Sequence, residues 1–208
     1  MIQAKMVRIP TYLSVGQEHI PVIVSEAFPN SYIFPQHRCH SWFLSYGGHP
    51  QAAIKQILGI VDWDSNGMQG SASLSIRNKM FGHSGLLGDQ IPITVGFSDS
   101  KRKHTICVAG DAAVEEDYAL GAFGYAVTKQ CPILFIVEDN NLSILTEKSV
   151  RRSWSIVDVC EAMGMQAYNV SDDMDEILHY VYHVDKTKPT LLNINTKRHL
   201  WHAGAGQD

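Results

Sequence analysis

The chain has none of the marks of a membrane span, a disulfide scaffold or a nucleic-acid binder. No apolar run in its 208 residues approaches the roughly 20 needed to cross a bilayer. The longest, around Ile20 to Val24 and Pro132 to Val137, are far too short. The opening residues MIQAKMVRIP lack the continuous apolar core of a secretory leader, so a soluble cytoplasmic protein is expected. Cysteine is scarce. Cys39, Cys107, Cys131 and Cys160 are widely spaced and form no Cys-x-x-Cys pair, which indicates neither a disulfide framework nor a zinc site. Charge of one sign is also lacking, since 17 Lys and Arg face 21 Asp and Glu along the whole chain. The basic cluster Lys101-Arg102-Lys103-His104 is short and precedes a strand pattern, where a solvated loop is favoured over a nucleic-acid patch. No repeat, low-complexity tract or linker interrupts residues 1–208, so a single domain is expected.

What is present is enough apolar material, 45% of residues, to fill one α/β core. Ser14 to Phe28 reads as a helix with Ser14 at its N-cap and Gln17 in the capping-box position. Tyr32 to Phe34 reads as a short strand leading into the polar loop Gln36 to His40. Pro50 to Gly59 is a helix that Gly59 ends. Residues 62 to 90 are rich in Gly, Ser, Asn and Asp and should be mostly irregular, and a loop of that length is usually functional. Ile91 to Phe97 resumes an apolar pattern as a helix with Pro92 in its first turn. Further on, Trp154 to Met163 and Met174 to Val184 read as helices, and Met165 to Val170 and Pro189 to Asn195 as strands. Short apolar strands alternating with helices predict a doubly wound parallel sheet with helices on both faces.

The most informative stretch runs from Thr105 to Asn141. A β-branched run ends in Gly110-Asp111, a small-residue turn and an alanine-rich helix follow, and a second apolar run, Ile133 to Val137, ends in Glu138-Asp139-Asn140-Asn141. Such a βαβ unit puts both polar clusters at the carboxyl ends of parallel strands. There Asp111 and an Asn can converge on one hard cation carrying a diphosphate. Ala112 and Ala113 are small enough for backbone N–H groups to approach that anion, and the following helix adds its positive end. Glu115 and Glu116 suit the helix dipole better than contact with an anion. Among the ten histidines, His37, His40, His83 and His202 sit in loop-like sequence where a site is plausible. His179 and His183, spaced i, i+4, read as a solvated helix face.

These residues resemble the diphosphate motif of thiamine diphosphate enzymes: the alpha subunit of two-oxo-acid dehydrogenases and, more distantly, the N-terminal domain of transketolase. The family pattern is Gly-Asp-Gly, about thirty residues, then Asn-Asn or Asp-Asn. Ala112 departs from it, and alanine fits where φ is negative. The spacing Asp139-Asn140-Asn141-Leu142-Ser143-Ile144 makes the Asn140 side chain and the Leu142 carbonyl the expected Mg²⁺ ligands beside Asp111, with Asn141 as second choice. The resemblance extends along the chain. Gly16-Gln17-Glu18 resembles a helix entry of the family. Arg38 in His37-Arg38-Cys39-His40 takes the place of an Arg that binds the diphosphate, with His37 where a Tyr is usual. Phe81 to Pro92 resembles the loop lining the thiazolium and aminopyrimidine.

By that resemblance the Gly85 and Leu87 backbone contacts the pyrimidine, and His83 faces the reacting carbon as acid or base. Arg198 and His202 match an Arg and a His that reach the diphosphate end and the active-site channel, with Trp201 where a small residue is expected. The implied set is then His83 and His202 for catalysis; Arg38, Gly85, Leu87, Gly110, Asp111, Ala112, Ala113, Asn140, Leu142, Arg198 and His202 for thiamine diphosphate; and Asp111, Asn140 and Leu142 for Mg²⁺. The family's activating Glu belongs to a pyrimidine-binding domain that this sequence lacks. A partner chain of beta type, in a heterotetramer, is therefore expected, with a small carbonyl substrate and a lipoyl domain or other acyl acceptor. Two alternatives stand beside the dehydrogenase-like reading: the N-terminal half of a split transketolase, and a non-catalytic homologue that only binds a partner.

Overall fold

The computed structural model describes residues 7, 9–60 and 68–204. Five parallel strands form the sheet: β1 (Tyr32–Phe34), β2 (Thr105–Gly110), β3 (Ile133–Asp139), β6 (Gln166–Val170) and β7 (Thr190–Asn195). Their order is β1-β2-β3-β7-β6. Each strand is apolar on both sides because both faces are covered, as parallel sheets require. One face carries Ile33, Ile106, Val108, Leu134, Ile136 and Ile194 against α1 (His19–Ala27), α2 (His40–Ser45) and α8 (Met174–His183). The other carries Cys107, Ala109, Ile133, Phe135, Val137 and Leu191 against α4 (Gln90–Lys101), α5 (Asp117–Lys129) and α7 (Ile156–Ala162). After β3 the chain skips a position to the edge strand β6 and then doubles back to β7. Right-handed crossovers therefore put α7 on the α5 face and α8 on the opposite one. The expected doubly wound sheet is what the chain forms.

Most strand and helix boundaries fall within a residue or two of those expected; α4 runs to Lys101, four residues past the expected Phe97, and other exceptions are instructive. The first helix starts at His19, not Ser14, and Ser14 does not cap it. Gly16 adopts φ +89 and closes against the His199 ring, which a Cβ would strike at 2.4 Å. This left-handed residue stops helix propagation towards Ser14. Ser14 Oγ instead meets Ser41 Oγ at 3.0 Å, and Gln17 Nε2 donates to Thr196 Oγ1 at 2.6 Å. The polar loop after β1 is shorter than expected because α2 begins at His40. Helix α3 (Pro50–Leu58) ends as predicted on Gly59 in the left-handed region, φ +69. Residues 68–89 form no helix or strand, while 61–67 of that segment lie outside the described residues.

Past β3 the chain builds what the sequence did not disclose: a tight hairpin of β4 (Leu142–Ser143) and β5 (Thr146–Glu147), then the short helix α6 (Lys148–Arg151). All four cysteines are buried and free. Among the described residues no helix is long and apolar enough to cross a membrane.

The sheet register fixes the site's floor. Gly110 pairs with Glu138, so β2 and β3 end at one level. Glu138 is fully buried, and burial pushes its pKa up from the ordinary 4.5 to about 7, against hydrogen bonds that pull it down. Those bonds come from Trp42 Nε1, which donates to Oε1 at 2.9 Å, and from Gln36 Nε2, which donates to Oε2. Neutral in the fold but ionised in the unfolded chain, Glu138 leaves stability untouched below about pH 4.5 and costs more as pH rises towards 7. Urea unfolding across a pH series is expected to show the stability difference moving in favour of Glu138→Gln by roughly 3 kcal/mol between pH 4 and 8. A constant difference sinks that titration. At the middle of the same strand, Ile136 is wholly buried. Ile136→Ala is expected to lower unfolding free energy by about 2–5 kcal/mol in the same assay.

Candidate active site

A cavity of about 270 Å³ opens at the carboxyl ends of β1, β2 and β3. Its floor is Gly110, Asp111, Ala112 and Ala113, which leave β2 and enter a 3₁₀ turn at Ala113–Glu115. Ala112 has φ −81, so alanine stands without strain where the family motif has its third glycine. Asn140, Leu142, Ser143 and Ile144 form one wall, from the loop after β3 and the hairpin it feeds. Gly85 and Leu87 form another. Their loop presses on the floor. Gly88 has φ +81, and a Cβ on it would come within 2.7 Å of the Ala113 carbonyl. Only glycine permits that approach.

Arg38 is buried and organises the remaining side. Its Nη1 donates to the Leu13 carbonyl at 2.9 Å and its Nη2 to the His202 carbonyl at 3.1 Å. Two segments remote in sequence are thereby drawn over the cavity. Tyr12, His37 and His202 pack ring against ring, with centroids 4.8 to 5.3 Å apart. His37 is held neutral, its pKa driven down to about 3 by burial first and then by Arg38 and the neighbouring histidines. Burial also lowers the pKa of His83, against the pull of Asp89. Gly85 N–H donates to His83 Nδ1 at 2.9 Å, which assigns the ring proton to Nε2.

Asp111 is buried, and burial pushes its carboxyl up. Arg151 opposes that shift: its Nη2 pairs with Asp111 Oδ2. Arg151 Nε also reaches Glu115, at 3.2 and 3.3 Å, and its Nη1 donates to the Thr146 carbonyl at 2.6 Å. Asp139 is neutralised in parallel by Lys148, and Asn193 Nδ2 donates to it at 3.2 Å. Asn140 Oδ1 accepts from the Leu142 backbone at 3.1 Å, folding the side chain over its own turn. Asn141, at φ +64, and Ile144, at φ +54, make the hairpin possible. A β-branched residue at such an angle is a genuine outlier, of the kind that clusters at functional sites.

The cavity thus brings together Arg38, His83, Gly85, Leu87, Gly110, Asp111, Ala112, Ala113, Asn140, Leu142 and His202. It leaves out Arg198, whose Nη1 donates to the Ile144 carbonyl at 2.7 Å and so supports the hairpin from outside. Asn141 lines a different cleft, of about 500 Å³, beyond Asp139. His179 and His183 lie far along α8 on an exposed face. Sequence reasoning missed Tyr12, Gln36 and Gln90, which also line the cavity, and Arg151, which binds its carboxylate. Gln36 adjoins the His37-Arg38 motif and could have been found there. The basic run Lys148 to Arg152 was the only trace of the ion pairs.

The oxygens of Asp111, Asn140 and Leu142 are hard donors from two adjacent strand ends, which suits Mg²⁺. Among the described residues no three His, Cys, Asp or Glu side chains cluster to hold a metal by themselves. With one carboxylate, the site suits a cation that brings anionic ligands of its own, as a metal diphosphate does. The donor set and the glycine-tight cradle fit such a group.

Comparison with known proteins gives the family. The model of the dehydrogenase E1 component matches residues 2–203. A pyruvate dehydrogenase E1 component subunit alpha from Rickettsia prowazekii is 28% identical over 211 residues, covering 92% of this chain and 63% of that one. The chain thus spans somewhat under two thirds of that relative's length. A transketolase from Pichia stipitis superposes with a TM-score of 0.64 at 14% identity, over 92% of this chain and 38% of that one. A thiamin diphosphate-dependent enzyme of Mycobacterium smegmatis, itself described as putative, does so with 0.60 at 16%, over 92% and 34%. At those identities the structures speak for the fold alone, and the family rests on the sequence. The chain belongs to the dehydrogenase E1 component family.

Proposed function

We propose that this chain is the diphosphate-binding part of a two-chain, thiamine diphosphate- and Mg²⁺-dependent enzyme that cleaves or forms a C–C bond next to a carbonyl. The dehydrogenase alpha-subunit type is favoured. One observation carries the reading: Asp111, Asn140 and Leu142 line the same cavity as Arg38, His83 and the Gly85–Leu87 loop. Asp111, Asn140 and the Leu142 carbonyl would hold Mg²⁺, and Arg38 with the Ala112–Ala113 backbone would face the diphosphate. When bound, the cofactor supplies an electron sink for a carbanion formed beside a carbonyl.

The chain's own residues would do the rest. His83, neutral with its proton on Nε2, offers a hydrogen bond to a substrate oxygen and is a weak base at neutral pH. His37 stays uncharged throughout, filling the place between Arg38 and His202 without adding a third positive charge. A beta-type partner carrying the activating carboxylate would complete the site. Exposed Leu86, Leu145 and Trp201 adjoin the cavity-lining Leu87, Ile144 and His202 and offer apolar area for such a contact. The Asp139-Asn140-x-Leu142 spacing favours a second reading, a split transketolase transferring a ketol unit.

Calorimetric titration of thiamine diphosphate with Mg²⁺, into this chain alone and with a beta-type partner, tests the proposal. Binding is expected, and Asp111→Ala should weaken it by at least about 100-fold, since even outer-shell partners of a metal are worth about 10–100-fold. A folded wild type that binds in neither setting overturns the reading.

A further inference from the structure

We infer that Arg151 is an internal counter-ion of the cation site, so that a divalent cation binds Asp111 by displacing the guanidinium already paired with it. The inference rests on the cation site proposed above and adds the residue that controls its occupancy. Asp111 is 2% exposed and the Arg151 side chain 13%, so their pair is shielded from bulk water. A buried carboxylate left alone is strongly destabilising, and in this structure Arg151 is the cation that neutralises Asp111.

The guanidinium is held from several directions. Besides Asp111 it binds both Glu115 oxygens and the Thr146 carbonyl. Its position is therefore set by the hairpin and the 3₁₀ turn as well as by the Asp111 carboxylate. A dication arriving at Asp111 would meet a fixed positive charge already bonded to Oδ2. Competition for the shared carboxylate and repulsion between the two cations set their binding against each other.

The neighbouring residue makes the exchange feasible. Arg152 Nε lies 3.6 Å from Glu115 Oε1, and Arg152 Nε and Nη1 are buried with no hydrogen-bond partner among the described residues. When Arg151 leaves, Arg152 can take Glu115 in its stead, which answers both needs at once. The local charges point to a second consequence. Arg151 and Arg152 balance Asp111 and Glu115, so a bare dication would overload the group, whereas a cation arriving with diphosphate would not. Arg151 thus selects the metal-diphosphate complex over the free metal.

Mn²⁺ titration of the full chain, followed by loss of the free-ion paramagnetic signal, provides the test. It compares wild type, Arg151→Gln and Arg151→Lys, each with and without thiamine diphosphate. An opposite charge at hydrogen-bonding range changes the proton affinity of a carboxylate by about 10- to 1,000-fold, and a metal cation at the same oxygens meets the same field. Arg151→Gln is therefore expected to bind Mn²⁺ alone at least about tenfold tighter than wild type, with the gap narrowing when thiamine diphosphate is present. Arg151→Lys keeps the charge and the fold and should stay near wild type. In wild type, Mn²⁺ with thiamine diphosphate should speed amide hydrogen exchange across residues 146–152. Equal or weaker Mn²⁺ binding by a folded Arg151→Gln overturns the counter-ion role and leaves the cation site standing. Absence of Mn²⁺ binding in all three proteins, with thiamine diphosphate present and the titration run both alone and with a beta-type partner, overturns the cation site itself.

Discussion

Three carboxylates are buried where β2 and β3 stop together, and the need to neutralise each of them shapes everything around the cavity. Asp111, Glu138 and Asp139 are between 1 and 3% exposed. Each is almost wholly buried, so each requires a partner from elsewhere in the chain, although Asp111 and Asp139 border clefts. Each finds a different solution. Glu138 takes two neutral donors, with burial raising its pKa to about 7. Asp139 takes Lys148 and an asparagine. Asp111 takes Arg151. Two of these solutions come from one four-residue helix, and the third recruits Trp42 and Gln36 from the segments after β1. The hairpin, the short helix and the loop after β1 thus stay in place because the strand ends would otherwise carry uncompensated charge.

The division of labour among these carboxylates has a chemical logic. A metal ligand must be reachable, and of the three carboxylates Asp111 is the one that lines the cavity shared with Arg38, Asn140 and Leu142. Glu138 lies between two fixed donors and works as a structural post, setting the Gln36 amide against Gly110. A Cβ on Gly110 would come within 3.3 Å of Gln36 Oε1, so that strand end is closed from the side as well as from below.

Most of the sheet was legible because its signals are local. Unbroken apolar runs of strand length and Gly59 after α3 each act on their own neighbourhood, and the structure places them within a residue or two of expectation. The convergence of Asp111 with Asn140 and Leu142 was legible too, because a βαβ unit leaves little choice about where strand ends lie. What escaped notice is non-local or runs against local preference. Gly16 redirects the start of α1 because it must make room for the ring of His199 at the far end of the chain. The hairpin turns through Ile144, a residue type that seldom adopts a left-handed angle and so announces no turn. Arg151 and Asp111 are 40 positions apart, and nothing in the intervening sequence marks them as partners. Arg198 stands outside the cavity lining, since a motif match gives the loop but not the direction of its side chain.

Arg38 carries a consequence for how the protein comes into being. It ties the Leu13 carbonyl to the His202 carbonyl, while Gln17 holds Thr196 across 179 positions. During vectorial synthesis β1, β2 and β3 leave the ribosome long before the segment that roofs them. The nascent chain therefore passes through a stage in which the floor of the cavity exists without its cover, and these long-range ties are the slow kind to form. The contact of His202 with Arg38 can form only after residue 202 has been made, whereas Arg151, encoded earlier, can pair with Asp111 before that contact exists.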